Sequence, residues 1–151
     1  MRTTTGTETR KGWMAELAKA PPDALAQALL ATCPDLPPHT FLRAPEIGAV
    51  MVQGRTGGTG APFNLGEMTV TRCTLRLGSG EVGHAVVQGR DTRHAAQAAL
   101  VDALMQTDAA AQMLAGVLEP LAGMRAAARG ERAAKAAATR VDFFTLVRGE
   151  A

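Results

Sequence analysis

Arg55, Thr56, Gly57, Gly58, Thr59 and Gly60 follow one another in an order suited to holding an anion. The three glycines permit positive φ and close backbone approach, so successive N–H groups can cradle a phosphate. Arg55 can add a planar fork of donors. The segment is not a P-loop, because no Gly-Lys-Ser/Thr follows it. The competing reading is a flexible hairpin loop, since glycine more often simply marks a turn. A second candidate runs Gly89, Arg90, Asp91, Thr92, Arg93, His94, where a strand is expected to give way to a helix. Free N–H groups at a helix N-terminus attract anions, and Arg90 and Arg93 add positive charge. Here the alternative is that Asp91 caps the helix while His94 packs or faces water. A third candidate sits at the end of the chain. Arg140 and Asp142 flank Val141 and precede Phe143 and Phe144, with Arg148 after them. Arginine beside aromatic rings can anchor an interface, or these residues form a last strand or turn of the domain itself.

The missing chemistry carries as much weight. Ser79 is the only serine and falls in a predicted tight turn, so no Ser-His-Asp arrangement is natural. His84 and His94 lie ten residues apart, without Cys or carboxylate at metal-ligand spacing. Tyr is absent, and nothing singles out Glu46 or Glu67 as a base. No residue is assigned a catalytic role and none a metal. The residues favour a binding or assembly module over a self-sufficient enzyme.

The chain has 151 residues, the length of one domain. At 46% hydrophobic and 20% charged it is expected to be globular, and a net charge of +2 excludes a strongly basic coat protein. Aromatics make up only 3%, so Leu, Val, Met and Ala must fill the core, or part of the chain packs on something else. Arg outnumbers Lys by 13 to 3; coding bias accounts for the total, and only placed arginines carry meaning. Cys33 and Cys73 lie forty residues apart in apolar contexts and read as buried free thiols. The opening residues lack a signal-type apolar stretch, and no run of eighteen apolar residues occurs. The expectation is a cytoplasmic protein without a membrane span.

The elements that must position these residues form an α+β domain. Residues 1–8 are polar and expected to fray. Trp13, Met14, Leu17 and Ala18 share one helical face, and Pro21 and Pro22 end that helix. Leu25, Ala28 and Leu29 mark a second helix with Asp23 in its first turn, and Pro34, Pro37 and Pro38 close it. Residues 46–55, 65–77 and 81–89 read as strands joined by short turns, hence an antiparallel sheet of about three to five strands. The inward set shifts from Met68 and Val70 to Cys73, Leu75 and Leu77, which predicts a bulge near Thr71 or Arg72. A helix capped by Asp91 or Thr92 follows over residues 91–106, then another from Asp108 that Pro120 is expected to interrupt.

Residues 122–138 are Ala-rich and basic, with Arg125, Arg129 and Arg132 on one helical face. Alanine forms helices readily but offers little apolar area to bury. A solvated charged helix is one reading. The other, favoured by the terminal Phe143 and Phe144, is an arm over residues 122–151 that docks on a partner. On that reading the isolated chain is expected to self-associate.

Five collinear stretches resemble the PhnG family, the G subunit of the bacterial carbon–phosphorus lyase core complex. They are residues 10–18 (RKGWMAELA), 42–60 (LRAPEIGAVMVQGRTGGTG), 66–77 (GEMTVTRCTLRL), 89–106 (GRDTRHAAQAALVDALMQ) and 139–149 (TRVDFFTLVRG). The resemblance implies one domain over 1–151 that assembles with H, I and J subunits. It implies a supporting, non-catalytic part in forming α-D-ribose 1-methylphosphonate 5-triphosphate from ATP and methylphosphonate. It places the iron–sulfur and S-adenosylmethionine chemistry on the J subunit and no cofactor on this chain. A small nucleotide- or nucleic-acid-binding module using the Gly-rich loop and basic helix is the alternative. Modest charge and few stacking rings weigh against it.

Overall fold

The computed structural model describes residues 9–141. Two short helices, α1 (Arg10–Lys19) and α2 (Pro22–Thr32), precede the sheet. The Thr9 hydroxyl caps α1 by accepting the Gly12 N–H at 3.2 Å. Pro22, in the first turn of α2, lacks only a donor that no helical carbonyl would have used.

Three strands follow: β1 (His39–Arg55), β2 (Pro62–Leu77) and β3 (Val82–Gln88). They form one antiparallel sheet in the order β1-β2-β3, within the expected range. β1 starts earlier than its apolar run suggests. Its first half is exposed and includes Pro45, which an edge strand tolerates where the register slips between Arg43 and Glu46. No bulge occurs at Thr71 or Arg72, for β2 and β3 pair without a shift from Val70↔Gln88 to Arg76↔Val82. The change of apolar parity has another cause. Val70 and Thr71 are both buried, although neighbouring strand residues face opposite sides of the sheet. The actual extra residues lie on β1 between Phe41 and Arg43 and between Arg43 and Glu46, and on β2 at Leu65, opposite Val52 and Gln53.

Helix α3 (Thr92–Leu104) crosses the face formed by Cys73, Leu75, Leu77, Ala85 and Val87. Ala95, Ala98, Ala99 and Ala103 are all buried, and their small side chains let helix and sheet approach closely. Gly83 marks the closest point, because a Cβ there would collide with the Ala99 carbonyl and the Ala103 backbone. The core is thereby built largely from aliphatic side chains, with Trp13 packed against them and the His94 ring buried. Its largest fully buried side chains are Leu17, Leu25, Leu75, Met113 and Leu118, each contributing about 1.5–3 kcal/mol by burial.

Pro120 does not interrupt the last helical stretch. α4 (Ala110–Met113) passes through a π-helical turn (Leu114–Leu118) into α5 (Glu119–Ala138). Proline's ring conflicts with the carbonyl four residues back. The turn locally shifts the pattern, with the Glu119 N–H donating to the Leu114 carbonyl, and Pro120 falls in the first turn of α5. Gly116 in that turn abuts Thr32 so closely that a Cβ would overlap its side chain. Leu121 is the only buried residue of α5. Residues 126–141 are all exposed, so the last 13 residues of the helix project about 20 Å beyond the domain.

Cys73 is buried and Cys33 only partly so, its thiol directed at the Asp35 carbonyl at 3.4 Å. Burial raises the Cys73 pKa from 9.0 to about 11. Raising an acid's folded pKa gives stability that is fully present below the unfolded value and lost as pH climbs toward the folded one. Unfolding free energy is therefore expected to decline between about pH 9 and 11. Cys73→Val should lessen that decline in denaturant titrations at pH 8, 9.5 and 11, and an identical slope in both proteins would remove the thiol as its cause.

Candidate functional site

The anion-binding candidates do not converge. Arg55, Thr56, Gly57, Gly58, Thr59 and Gly60 form the tip of the β1–β2 hairpin. Gly57 and Gly58 have φ of +59° and +82°, the left-handed region that favours glycine. The tip is internally bonded. The Gly60 N–H donates to the Thr56 carbonyl at 2.8 Å, and Arg55 Nη1 donates to the Gly60 carbonyl at 3.2 Å. Arg55 thus braces the turn with part of its fork.

Arg90 stands elsewhere, at the junction of β3 and α3, and is exposed. The Gly89 N–H donates to the Thr69 carbonyl at 2.9 Å, which ties this junction to the middle of the hairpin. Seven residue steps along β2 separate Thr69 from Pro62 at the tip, a span of about 23 Å. The α3 N-terminus already faces an anion, since the Asp91 carboxylate accepts the His94 N–H at 2.8 Å. His94 itself is buried, and its Nε2–H donates to the Leu17 carbonyl at 2.8 Å. Its ring joins α3 to α1 and does not reach the surface beside Arg90. Of the two readings of this segment, the geometry is that of a cap and a packed histidine.

The proposed interface residues are also distributed. Arg125 Nη2 lies 3.0 Å from Glu16, so this arginine fastens the start of α5 to α1. Arg129 is exposed on the projecting part of α5, and Arg140 lies just past the helix end. Asp142, Phe143, Phe144 and Arg148 lie outside the described residues, as do most of residues 1–8 and 139–149 named above for fraying or resemblance. Among the described residues, no three His, Cys, Asp or Glu side chains gather as a metal-holding group, and no helix is long and apolar enough to cross a membrane.

Two features escaped the residue patterns. One is Asp102, fully buried within α3. Its Oδ1 accepts from Arg10 Nε at 3.2 Å and Trp13 Nε1 at 2.8 Å. Its Oδ2 accepts from Arg10 Nη2 at 2.8 Å and the His84 backbone N–H at 2.9 Å. One carboxylate therefore joins α1, α3 and β3. The signal was a lone Asp between Val101 and Ala103 in the otherwise apolar second half of the helix. The other feature is the outer half of the β1–β2 hairpin, which extends past β3 with Met51, Phe63 and Leu65 exposed. Among the described residues the arrangement pairs one hydroxyl with one imidazole, Thr74 Oγ1 lying 3.1 Å from His84 Nδ1 on the exposed side of β2 and β3. Its exposed elements, hairpin and helix, are shaped for contact with another molecule.

The comparisons with known proteins agree with that character. A family model described as phosphonate metabolism protein PhnG matches residues 8–149. The chain is also 49% identical over 116 residues to the α-D-ribose 1-methylphosphonate 5-triphosphate synthase subunit PhnG of Rhizobium meliloti (strain 1021). That match covers 77% of this chain and 74% of the relative. Nearly the whole chain is matched by the family and most of it by the relative, and it belongs to the PhnG family of phosphonate metabolism proteins.

Proposed function

We propose that this chain is a non-catalytic assembly subunit of an α-D-ribose 1-methylphosphonate 5-triphosphate synthase. The observation that carries the reading is the 49% identity to a named subunit of that synthase. The fold supports it, since the buried polar groups, Asp102 and His94, are spent on joining elements. In this reading the chain works with H, I and J subunits that handle ATP and methylphosphonate. It supplies no cofactor itself and acts in the cytoplasm. A nucleic-acid module is disfavoured by the net charge of +2 and by a basic helix without stacking rings between Glu119 and Ala138.

The test is coexpression of the tagged chain with H, I and J subunits, followed by sizing and synthase assay. Stoichiometric copurification is expected, and its absence would refute the assembly role. Arg55→Ala is expected to leave the synthase rate of the assembled complex within about twofold of wild type. A fall of about tenfold or more with assembly intact would instead put the hairpin tip in contact with ligand.

A further inference from the structure

We infer that the outer half of the β1–β2 hairpin inserts into an apolar cleft of another synthase subunit, which covers both of its faces. The inference rests on the proposed synthase membership and names the surface that serves it. β3 makes its last pair at Val70↔Gln88. Beyond that point β1 and β2 pair alone, from Ala49↔Thr69 to Arg55↔Pro62. A two-stranded ribbon is only marginally stable in water. This one nevertheless carries Met51, Phe63 and Leu65 at 53%, 44% and 66% exposure.

Both faces carry apolar side chains, one of them among the polar Gln53, Asn64, Glu67 and Thr69. The register sets Ala49 and Met51 on one side, opposite Thr69 and Glu67. It sets Val50 and Gly54 on the other, opposite Met68 and Phe63, and the Phe63 ring lies over Gly54. From residue 49 to 69 the only charged side chains are Arg55 and Glu67, which cancel. The occupant's chemistry follows: a near-neutral cleft walled by aliphatic side chains, with an acidic group for Arg55 and a basic group for Glu67.

The far edge of the sheet is closed to strand addition. The Val82 carbonyl accepts from Arg10 Nη2 at 3.0 Å and from Gln106 Nε2 at 2.9 Å. The His84 N–H is taken by Asp102. Side chains thus occupy the first part of the β3 edge, as proteins do where pairing is to be avoided. No such side-chain bonds meet the backbone of β2 between Pro62 and Thr69 among the described residues.

Size decides between a cleft and a second copy. The ribbon is about 23 Å long and two strands, about 10 Å, wide, so one face presents roughly 230 Å². A stable interface needs about 800 Å² per partner. A second ribbon laid across one face covers less than that face and leaves the other bare. A cleft that receives the ribbon covers both faces and an edge.

The experiment uses the wild-type chain and a Met51→Lys/Leu65→Lys variant with the other synthase subunits. Both positions are exposed, so the isolated variant is expected to keep its circular dichroism and melting temperature. Its affinity for the remaining subunits is expected to fall about a hundredfold. In the wild-type complex, amides of residues 49–69 are expected to gain protection from deuterium exchange over the isolated chain. Undiminished assembly of a folded variant would overturn the inference. So would unchanged exchange of this ribbon in the complex, which decides the matter even if the variant misfolds. An isolated dimer dissolved by the variant, with assembly into the complex intact, would make a second copy the occupant. Failure of the wild-type chain to assemble at all would refute the synthase reading first, and the inference with it.

Discussion

Asp102→Ala is expected to lower the unfolding free energy by about 3–5 kcal/mol, the usual penalty for breaking a buried ion pair from one side. The carboxylate is fully buried, whereas the Arg10 side chain is 43% exposed. The loss therefore falls unevenly. Arg10 can turn to water, but the Trp13 indole N–H and the His84 N–H lose their acceptor inside the protein. Each buried donor left unpaired costs about 1–3 kcal/mol. Arg10→Ala is expected to cost at least as much, because it leaves the fully buried Asp102 carboxylate without a counter-ion, held by two neutral donors alone. Against a total stability of about 5–15 kcal/mol for a domain of this kind, the alanine variant should lose a large share of its stability. Urea titrations of the two variants beside wild type measure the difference. A change under about 1 kcal/mol for Asp102→Ala would show that water replaces the lost acceptor and that the carboxylate does not hold the three elements together.

Gly83→Ala is expected to be comparably damaging for a different reason. Overpacking a core costs about 1–3 kcal/mol when side chains can shift. Here the new methyl meets the Ala99 carbonyl and the Ala103 backbone, which no rotamer change relieves. Helix α3 must lift from β3, weakening contacts of Ala85 and Val87 as well. A loss of about 3 kcal/mol or more is expected in the same urea titration. Ala103→Gly added to Gly83→Ala should restore little, since the Ala99 carbonyl remains in the way. Gly66→Ala is the matched control. A Cβ there meets nothing within 4 Å, and its effect should stay within about 0.5 kcal/mol. If Gly83→Ala proved as mild as Gly66→Ala, the close approach of α3 to β3 would be wrong.

Much of this fold was legible in the residue order, and the exceptions share a cause. Helical periodicity located α1, α2 and α3, and the Asp91 cap was one of two residues offered for that place. The hairpin order followed from short turns between alternating runs. Missed features depended on which side of an element meets solvent. The first half of β1 is exposed, so it shows no alternation from which a strand could be read. The parity change along β2 suggested a bulge because Val70 was assumed to share the core face of Cys73. Pro120 looked like a break because sequence does not reveal a π-helical turn. The Gly-rich tip was legible as a loop, and its internal bonding was not. His94 and Asp102 show the same limit more sharply. Their partners lie 77 and 89 residues away, at Leu17 and Trp13, and no local pattern encodes such pairings. The family resemblance was carried partly by residues 10–18 and 89–106, and in the fold these stretches meet at Asp102 and His94.

The projecting end of α5 has an evolutionary consequence. Beyond Arg125 the helix is held by its own backbone bonds, and alanine, arginine and lysine keep it helical without reference to the domain. Core positions such as Gly83, Asp102 and Gly116 each answer to neighbours on other elements, so change there is constrained from several sides. Residues 126–138 answer to almost none among the described residues. They can vary by single substitutions, provided helix propensity survives, while the domain behind them keeps its stability. Selection on this stretch can then follow whatever it touches outside the chain, and its sequence is free to diverge between lineages faster than the fold that carries it.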